Sequence, residues 1–165
     1  KEGCTILVQS EDKRIIINPS MRGDIQQQQL YNKSGVFPCE IDEVYCTVAD
    51  PAYMVDIEIY KNAVWYMPET VYNEVRRNMH EFCEYYVNKF HKLNTKTTPF
   101  SVETFPIGKK ALTGLSFDTR EGTVLILNDF TIPSSETFIS DLLQRFSLII
   151  TDNGIIGMED LSWKT

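Results

Sequence analysis

The chain has 165 residues, of which 42% are hydrophobic and 24% are charged, so it can build an ordinary core and need not be disordered. This length predicts a single domain over residues 1–165. The formal net charge of −7 argues against direct nucleic-acid binding, because contact with phosphates favours a basic face. No apolar run reaches the roughly 18–20 residues that a membrane span requires.

Hydrophobic periodicity and turn signals predict eight strands and four helices. The strands are 4–10, 13–18, 43–48, 63–66, 100–105, 112–118, 122–128 and 147–151. The helices are 22–33, 52–60, 69–93 and 134–146. Strands and helices mixed in this order suit a sheet sandwich with helices outside it.

The predicted helix over 69–93 has an unusually wide aromatic face. Pro68 can begin a helix, and Glu69 suits its first turn. Apolar residues recur at three- and four-residue spacings, which favours core packing, but some lie outside the main stripe, which favours a protein interface. The candidate interface residues are Tyr72, Met79, Phe82, Tyr85, Tyr86 and Phe90.

A strand-to-turn junction at residues 44–57 is the most informative stretch. An apolar strand runs into the Asp50-Pro51 turn and then into an apolar segment. This junction resembles that of the metallo-β-lactamase-like hydrolases, where it reads T-H-x-H-x-D-H. The family's Thr, first His, second His, Asp and last His fall here on Thr47, Val48, Asp50, Ala52 and Tyr53.

Further fragments resemble the same family in the same order. The first hairpin ends in Asn18-Pro19-Ser20, where the family has V-D-P-G or similar. A family loop histidine falls near Lys109 or Lys110, the bridging Asp is kept as Asp129, and Asn153 stands at the last histidine. The resemblance implies an α/β fold of the four-layer αββα sandwich type, or a reduced form of it.

The resemblance also implies a site that has lost its metal ligands. The two histidines of the chain are His80 and His91, and one helix would hold them about 16 Å apart, too far to share an ion whose bonds are about 2 Å. No metal, cofactor or catalytic residue is therefore expected. The vestigial site would comprise Val48, Asp50, Ala52, Tyr53, Lys110, Asp129 and Asn153.

Several of these polar residues also have ordinary structural interpretations. Asp50 fits an Asx-Pro turn, and Asp129 fits a carboxylate that accepts backbone hydrogen bonds at a strand end. Lys110 could pair with Asp129 in place of the missing ion, or lie exposed. The four cysteines form no C-x-x-C pair, which favours reduced thiols in an intracellular protein, cytoplasmic or nuclear.

The leading functional hypothesis is a catalytically inactive metallo-β-lactamase-like domain. It would act as a protein-interaction or dimerisation scaffold, with a protein partner or a second copy of itself. One alternative is a divergent hydrolase with a non-standard site. Another is a small-molecule sensor that uses the vestigial cleft, with Tyr53, Lys110, Asp129 and Asn153 at its polar rim.

Overall fold

A computed structural model describes residues 4–54, 56–107, 110–127 and 136–157 of the chain, with only the backbone described at Lys110 and Glu136. The chain divides into two compact units, Lys1–Leu93 and Asn94–Thr165. Among the described residues, each unit holds one five-stranded sheet. The single domain over 1–165 stays a prediction.

The first unit contains a mixed sheet, whose strands are in the order β1-β2-β3-β4-β5. Its strands are β1 Ile6–Gln9, β2 Arg14–Ile17, β3 Glu43–Tyr45, β4 Val64–Met67 and β5 His91–Lys92. The β1–β2 pair is an antiparallel hairpin, and the remaining pairs are parallel. Parallel neighbours need crossover connections, and these carry the helices of the unit.

Helix α1 (Gly23–Ser34) connects β2 to β3, while α2 (Glu69–Arg77) and α3 (Glu84–Val87) connect β4 to β5. Short 3₁₀ helices occupy Pro38–Glu40, Pro51–Met54, Ile57–Tyr60 and Met79–Glu81. Alternate residues of the strands, among them Ile16, Val44 and Trp65, pack with these segments in one buried cluster. Burial is continuous along β2 and β3 and alternates along β4, so apolar runs located the first two strands in the sequence.

The prediction of one helix over 69–93 is wrong. Helix α2 ends at Arg77, a single 3₁₀ turn follows, and Phe82 and Cys83 have extended backbone before α3. His91 lies in β5, where it pairs with Tyr66 of β4. His80 lies in the 3₁₀ turn, so the two histidines do not lie on one helix.

The second unit has strand order β10-β9-β8-β7-β6. Its strands are β6 Ser101–Ile107, β7 Lys110–Thr119, β8 Gly122–Leu127, β9 Leu148–Thr151 and β10 Gly154–Gly157. Leu142 and Leu143 of helix α4 (Glu136–Arg145), together with Phe146 just after it, belong to the buried cluster of this unit. Of the neighbouring strand pairs described in this unit, β8 and β9 alone are parallel, and helix α4 lies between them in the sequence.

All eight predicted strands are present, with boundaries shifted by a few residues. Strands β5 and β10 were not predicted, and the predicted helix over 52–60 is two separate 3₁₀ turns. None of the four cysteines, all of which are described, forms a disulfide. In the described part of the chain, every helix is too short or too polar to cross a membrane.

Candidate functional site

The junction after β3 is held by a buried asparagine. Asn18, at the end of β2, is fully buried, and its Oδ1 accepts the Thr47 backbone N–H at 2.8 Å. Its Nδ2 donates to Thr47 Oγ1 at 2.8 Å, and its backbone N–H donates to the Tyr45 carbonyl at 2.8 Å. Asn18 has φ 53°, a left-handed conformation that asparagine tolerates better than most residues. It therefore fixes the point where the candidate site begins.

Asp50 stabilises the turn that follows. Its Oδ1 accepts the Ala52 backbone N–H at 2.9 Å, and its carbonyl accepts the Tyr53 N–H at 3.1 Å. These bonds cap the 3₁₀ turn Pro51–Met54, as the Asx-turn interpretation expects. The neighbouring candidates Val48 and Ala52 have no side-chain donor atom for a metal.

Tyr53, at the last histidine position of the resemblance, is only 2% exposed. Its carbonyl accepts a hydrogen bond from the Cys46 thiol at 3.6 Å. Burial raises the pKa of that thiol, so Cys46 stays protonated and is a poor metal ligand. The tyrosine has become part of the protein interior.

The Asp56 side chain also accepts a hydrogen bond from the backbone. Its Oδ2 accepts the N–H of Gly23, the first residue of α1, at 2.9 Å. A Cβ on Gly23 would lie 2.8 Å from Ile59 Cγ2 and 3.0 Å from Asp56 Cβ, so this close approach requires glycine. The carboxylate therefore anchors the helix N-terminus to the 3₁₀ segment.

The remaining predicted site residues belong to the second unit. Lys110 begins β7, and its side chain lies outside the described atoms, as does the whole of Asp129. Asn153 is exposed in the β9–β10 turn, where its backbone N–H donates to Thr151 Oγ1 at 3.1 Å. The predicted pairing of Lys110 with Asp129 stays a prediction.

A shallow cavity of about 250 Å³ lies beside the Asp50 turn in the first unit. It is lined by Pro51, Met54, Asp56, Phe82, Cys83 and Tyr86. A hydrogen bond with Glu58, assisted by burial, raises the pKa of Tyr86 to about 12, so this hydroxyl is neutral at physiological pH. The cavity wall thus combines apolar groups with one carboxylate that is already hydrogen-bonded.

These residues do not fit a catalytic zinc centre. Among the described residues, no group of three or more His, Cys, Asp and Glu side chains could hold an ion. Zinc sites use at least three nitrogen, sulfur or carboxylate ligands. Here two of the ligand positions that the resemblance assigns are Val48 and Ala52. The Asp50 carboxylate already accepts the Ala52 backbone N–H within its own turn. No metal-dependent step follows from this part of the chain.

The predicted interface residues divide into buried and exposed members. Phe90 is 4% exposed and packs on Trp65 at 5.6 Å between ring centroids, and its place in an interface stays a prediction. Four others are partly buried against the core of the first unit, namely Tyr72, Met79, Phe82 and Tyr86. Tyr85 is 62% exposed.

Cationic side chains lie over the aromatic rings of this region. Lys89 Nζ is 4.2 Å from the centroid of Tyr85 and 5.5 Å from that of Trp65. Arg76 and Lys92 lie 5.8 and 5.6 Å from the ring of Tyr72. We call Tyr72, Arg76, Tyr85, Lys89 and Lys92 the Tyr85 surface. Arg76 Nη1 also donates to Asn88 Oδ1 at 2.7 Å, which links α2 to the end of α3.

Sequence reasoning missed the role of Asn18, although it noted the position. The available signal was an asparagine before proline at the end of an apolar strand, because such a residue is often a turn residue with specific hydrogen bonds. The sequence gave no signal for the burial of Tyr60, which is a fully buried tyrosine at the end of a 3₁₀ helix.

No family model and no curated protein matches the sequence, but solved structures do. A Thermotoga maritima protein assigned to the metallo-β-lactamases is 17% identical with a TM-score of 0.67, over 94% of this chain and 88% of that one. AidC, a dizinc quorum-quenching lactonase, is 13% identical with a TM-score of 0.68. The match covers 93% of this chain and 74% of AidC. The metallo-β-lactamase GOB-18 from Elizabethkingia meningoseptica is 13% identical with a TM-score of 0.53, over 99% and 74%. The predicted fold class is confirmed: the chain has the metallo-β-lactamase fold.

Proposed function

We propose that this protein is a catalytically inactive metallo-β-lactamase-fold domain that works by binding another protein. The observation that carries the proposal is the use of the Asp50 turn for structure instead of metal. Val48 and Ala52 offer no ligand atom, Tyr53 is buried, and the Asp50 carboxylate accepts a backbone N–H.

The contrast with similar structures supports this view. AidC is described as a dizinc enzyme, and a metallohydrolase uses its ions to generate hydroxide and polarise the scissile group. Fold alone does not transfer that activity, because function depends on the residues of the site. In this chain the positions that the sequence resemblance assigns to the first histidine and the aspartate are Val48 and Ala52, whose side chains have no ligand atom.

Metal analysis gives the first expected result. Protein purified without chelator should contain far less than one zinc or iron per chain, and EDTA should leave its melting temperature unchanged. Elemental analysis and thermal unfolding measure both quantities. Asp50→Ala serves as the matched variant, and its metal content should equal that of the wild type. Stoichiometric metal that EDTA removes with a fall in melting temperature would contradict the proposal.

The Tyr85 surface supports a binding role. Tyrosine and arginine are enriched in interface hot spots, and Tyr85 exposes 62% of its surface. The surface carries three cations, of which Lys92 is paired with Glu69 at 2.7 Å. Charge complementarity therefore favours a partner that presents carboxylates. A second copy of this chain, with a net charge of −7, meets that requirement.

Substitution of Tyr85 tests the surface. Tyr85→Asp should weaken assembly by about 30-fold, the equivalent of about 2 kcal/mol, because it removes an aromatic contact and buries a charge at the interface. Sedimentation velocity over a concentration series measures self-association, and quantitative pull-down measures a different partner. Tyr72 is unsuitable for the same change, because its ring packs against the core.

Tyr31→Asp is the matched control, since Tyr31 is 51% exposed on α1 and packs on Phe37 instead. Both variants should retain the wild-type circular dichroism spectrum. If the wild type is monomeric at high concentration and Tyr85→Asp keeps every partner, the binding proposal fails. Equal losses in both tyrosine variants would also refute the assignment to this surface.

A further inference from the structure

The segment that carries the Tyr85 surface differs in charge from the rest of the chain. Residues 69–92 hold as many basic as acidic side chains, four of each, so the formal net charge of −7 lies outside them. Two copies of so acidic a chain repel one another overall, and this repulsion is weakest where the two neutral segments face each other. Charge therefore favours this segment over the surrounding surface as the place where two copies meet.

The charges beside Tyr85 are separated by sign along the chain. Glu81 ends the 3₁₀ turn before Tyr85, and Glu84 is the first residue of α3. On the other side, Lys89 Nζ lies 4.2 Å from the centroid of the Tyr85 ring, and Arg76 Nη1 donates to the C-cap side chain of α3 at 2.7 Å. Because α3 has only four residues, its few aligned peptide dipoles give little reason for this separation. Tyr85 thus lies between an acidic end and a basic end.

One charge at each end is available to a partner. Glu84 and Lys89 are exposed, and neither forms an ion pair with any residue in the part of the chain that the structure describes. The other acid, Glu81, lies 3.5 Å from Nε2 of His80. Glu84 and Lys89 are therefore the charges of this segment that a second molecule can pair without breaking an existing ion pair.

The ring of Tyr85 is held in place before any partner binds. It is 62% exposed, but it packs edge-on against Tyr86 at 5.4 Å between ring centroids, and Lys89 lies over it. Tyr86 is itself partly buried against the core of the first unit. An aromatic side chain that is already fixed loses little conformational freedom on binding, which suits it to the centre of an interface.

We propose that two copies of this chain pair through the Tyr85 surface, about a two-fold axis that passes beside Tyr85 and sets residues 81–89 of the two copies antiparallel. This inference rests on the proposed binding role of the surface and names its partner. A two-fold axis makes the same patch face itself. The acidic end of each copy then lies against the basic end of the other, and the contact between Glu84 and Lys89 occurs twice.

Reversal of these charges tests the two-fold geometry. Glu84→Lys and Lys89→Glu should each dimerise about tenfold more weakly than the wild type, because the axis repeats the like-charge contact that each creates. An equimolar mixture of the two variants should recover the wild-type affinity, since both contacts between the unlike chains again join opposite charges. Sedimentation velocity at a fixed total concentration measures the dimer fraction of each sample.

The matched control is the pair Asp24→Lys and Lys33→Glu, which makes the same charge changes at exposed positions of α1. At physiological ionic strength, each control variant and their mixture should dimerise within about twofold of the wild type, because charges distant from the interface are screened. All four variants should retain the wild-type circular dichroism spectrum. Equal effects in the α1 pair would show a response to net charge alone and would overturn the proposal.

Three further results would overturn it, namely a monomeric wild type, a wild-type affinity in Glu84→Lys, and a mixture that associates no better than its separate components. The binding role of the surface is judged separately, by pull-down with Tyr85→Asp. If that variant loses a different protein partner, the proposed function stands and only the second copy is the wrong partner. If it loses none and the wild type is monomeric, the proposed function fails as well.

Discussion

Replacement of Asn18 by alanine should lower the free energy of unfolding by about 2–4 kcal/mol. The change removes both side-chain hydrogen bonds to Thr47 and leaves the Thr47 N–H without its 2.8 Å acceptor in a buried position. It also forces alanine into a backbone with φ 53°, where a Cβ is unfavourable. Urea denaturation followed by circular dichroism measures the loss.

Two further variants separate these causes. Asn18→Gly loses the same hydrogen bonds but tolerates the positive φ, so it should be less destabilising than Asn18→Ala by about 1 kcal/mol. Thr47→Val keeps the backbone N–H bond and loses only the acceptor for Nδ2. Its effect should be the smallest of the three, about 1–2 kcal/mol. A loss below about 0.5 kcal/mol for Asn18→Ala would mean that this clamp does not hold the junction.

The strands of both units could be read from the sequence because their burial follows simple patterns. In β2 and β8, runs of Ile, Val and Leu are bounded by turn residues, and burial continues along the run. The two-residue β5 has no such pattern. His91 and Lys92 are both exposed, and only their pairing with Tyr66 and Met67 makes them a strand. Pairing of this kind is a tertiary property that a local window does not contain.

The prediction of one long helix over 69–93 was wrong for a related reason. Val71, Val75 and Phe90 do reach the same core, so their spacing imitates one continuous helical face. The chain nevertheless leaves the helix at Asn78, a residue with weak helix propensity, and is extended at Phe82 and Cys83. Apolar spacing reports which side chains are buried, and it does not report whether the backbone between them is continuous.

For the candidate site, the sequence could show which donor atoms are absent. Val48 and Ala52 are non-ligating in any conformation. It could not show what the remaining carboxylates do, because the Gly23 N–H that Asp56 accepts is distant in the sequence. Tyr53 illustrates the same limit, since a tyrosine at a lost ligand position can line a cleft or enter the core, and only packing decides.

The largest expected loss of stability is that of Trp65→Ala, about 3–5 kcal/mol. Trp65 is buried in β4 and packs on Tyr86 and Phe90 at centroid distances of 6.1 and 5.6 Å. Its indole N–H donates to the Tyr60 carbonyl, which joins the sheet to the Ile57–Tyr60 turn. Removal of the ring therefore leaves a cavity and an unsupported α3, and the Tyr60 carbonyl keeps only the Ala63 N–H, at 3.0 Å, of its two donors.

Trp65→Phe is the matched control, because it keeps an aromatic ring and loses the N–H and part of the volume. It should cost less than half as much as Trp65→Ala in the same urea experiment. The alanine variant should also weaken assembly through the Tyr85 surface at temperatures where it remains folded, since Lys89 contacts both Trp65 and Tyr85. A loss of stability below about 1 kcal/mol for Trp65→Ala would contradict the central position of this ring in the first unit, because such a small effect is typical of surface sites.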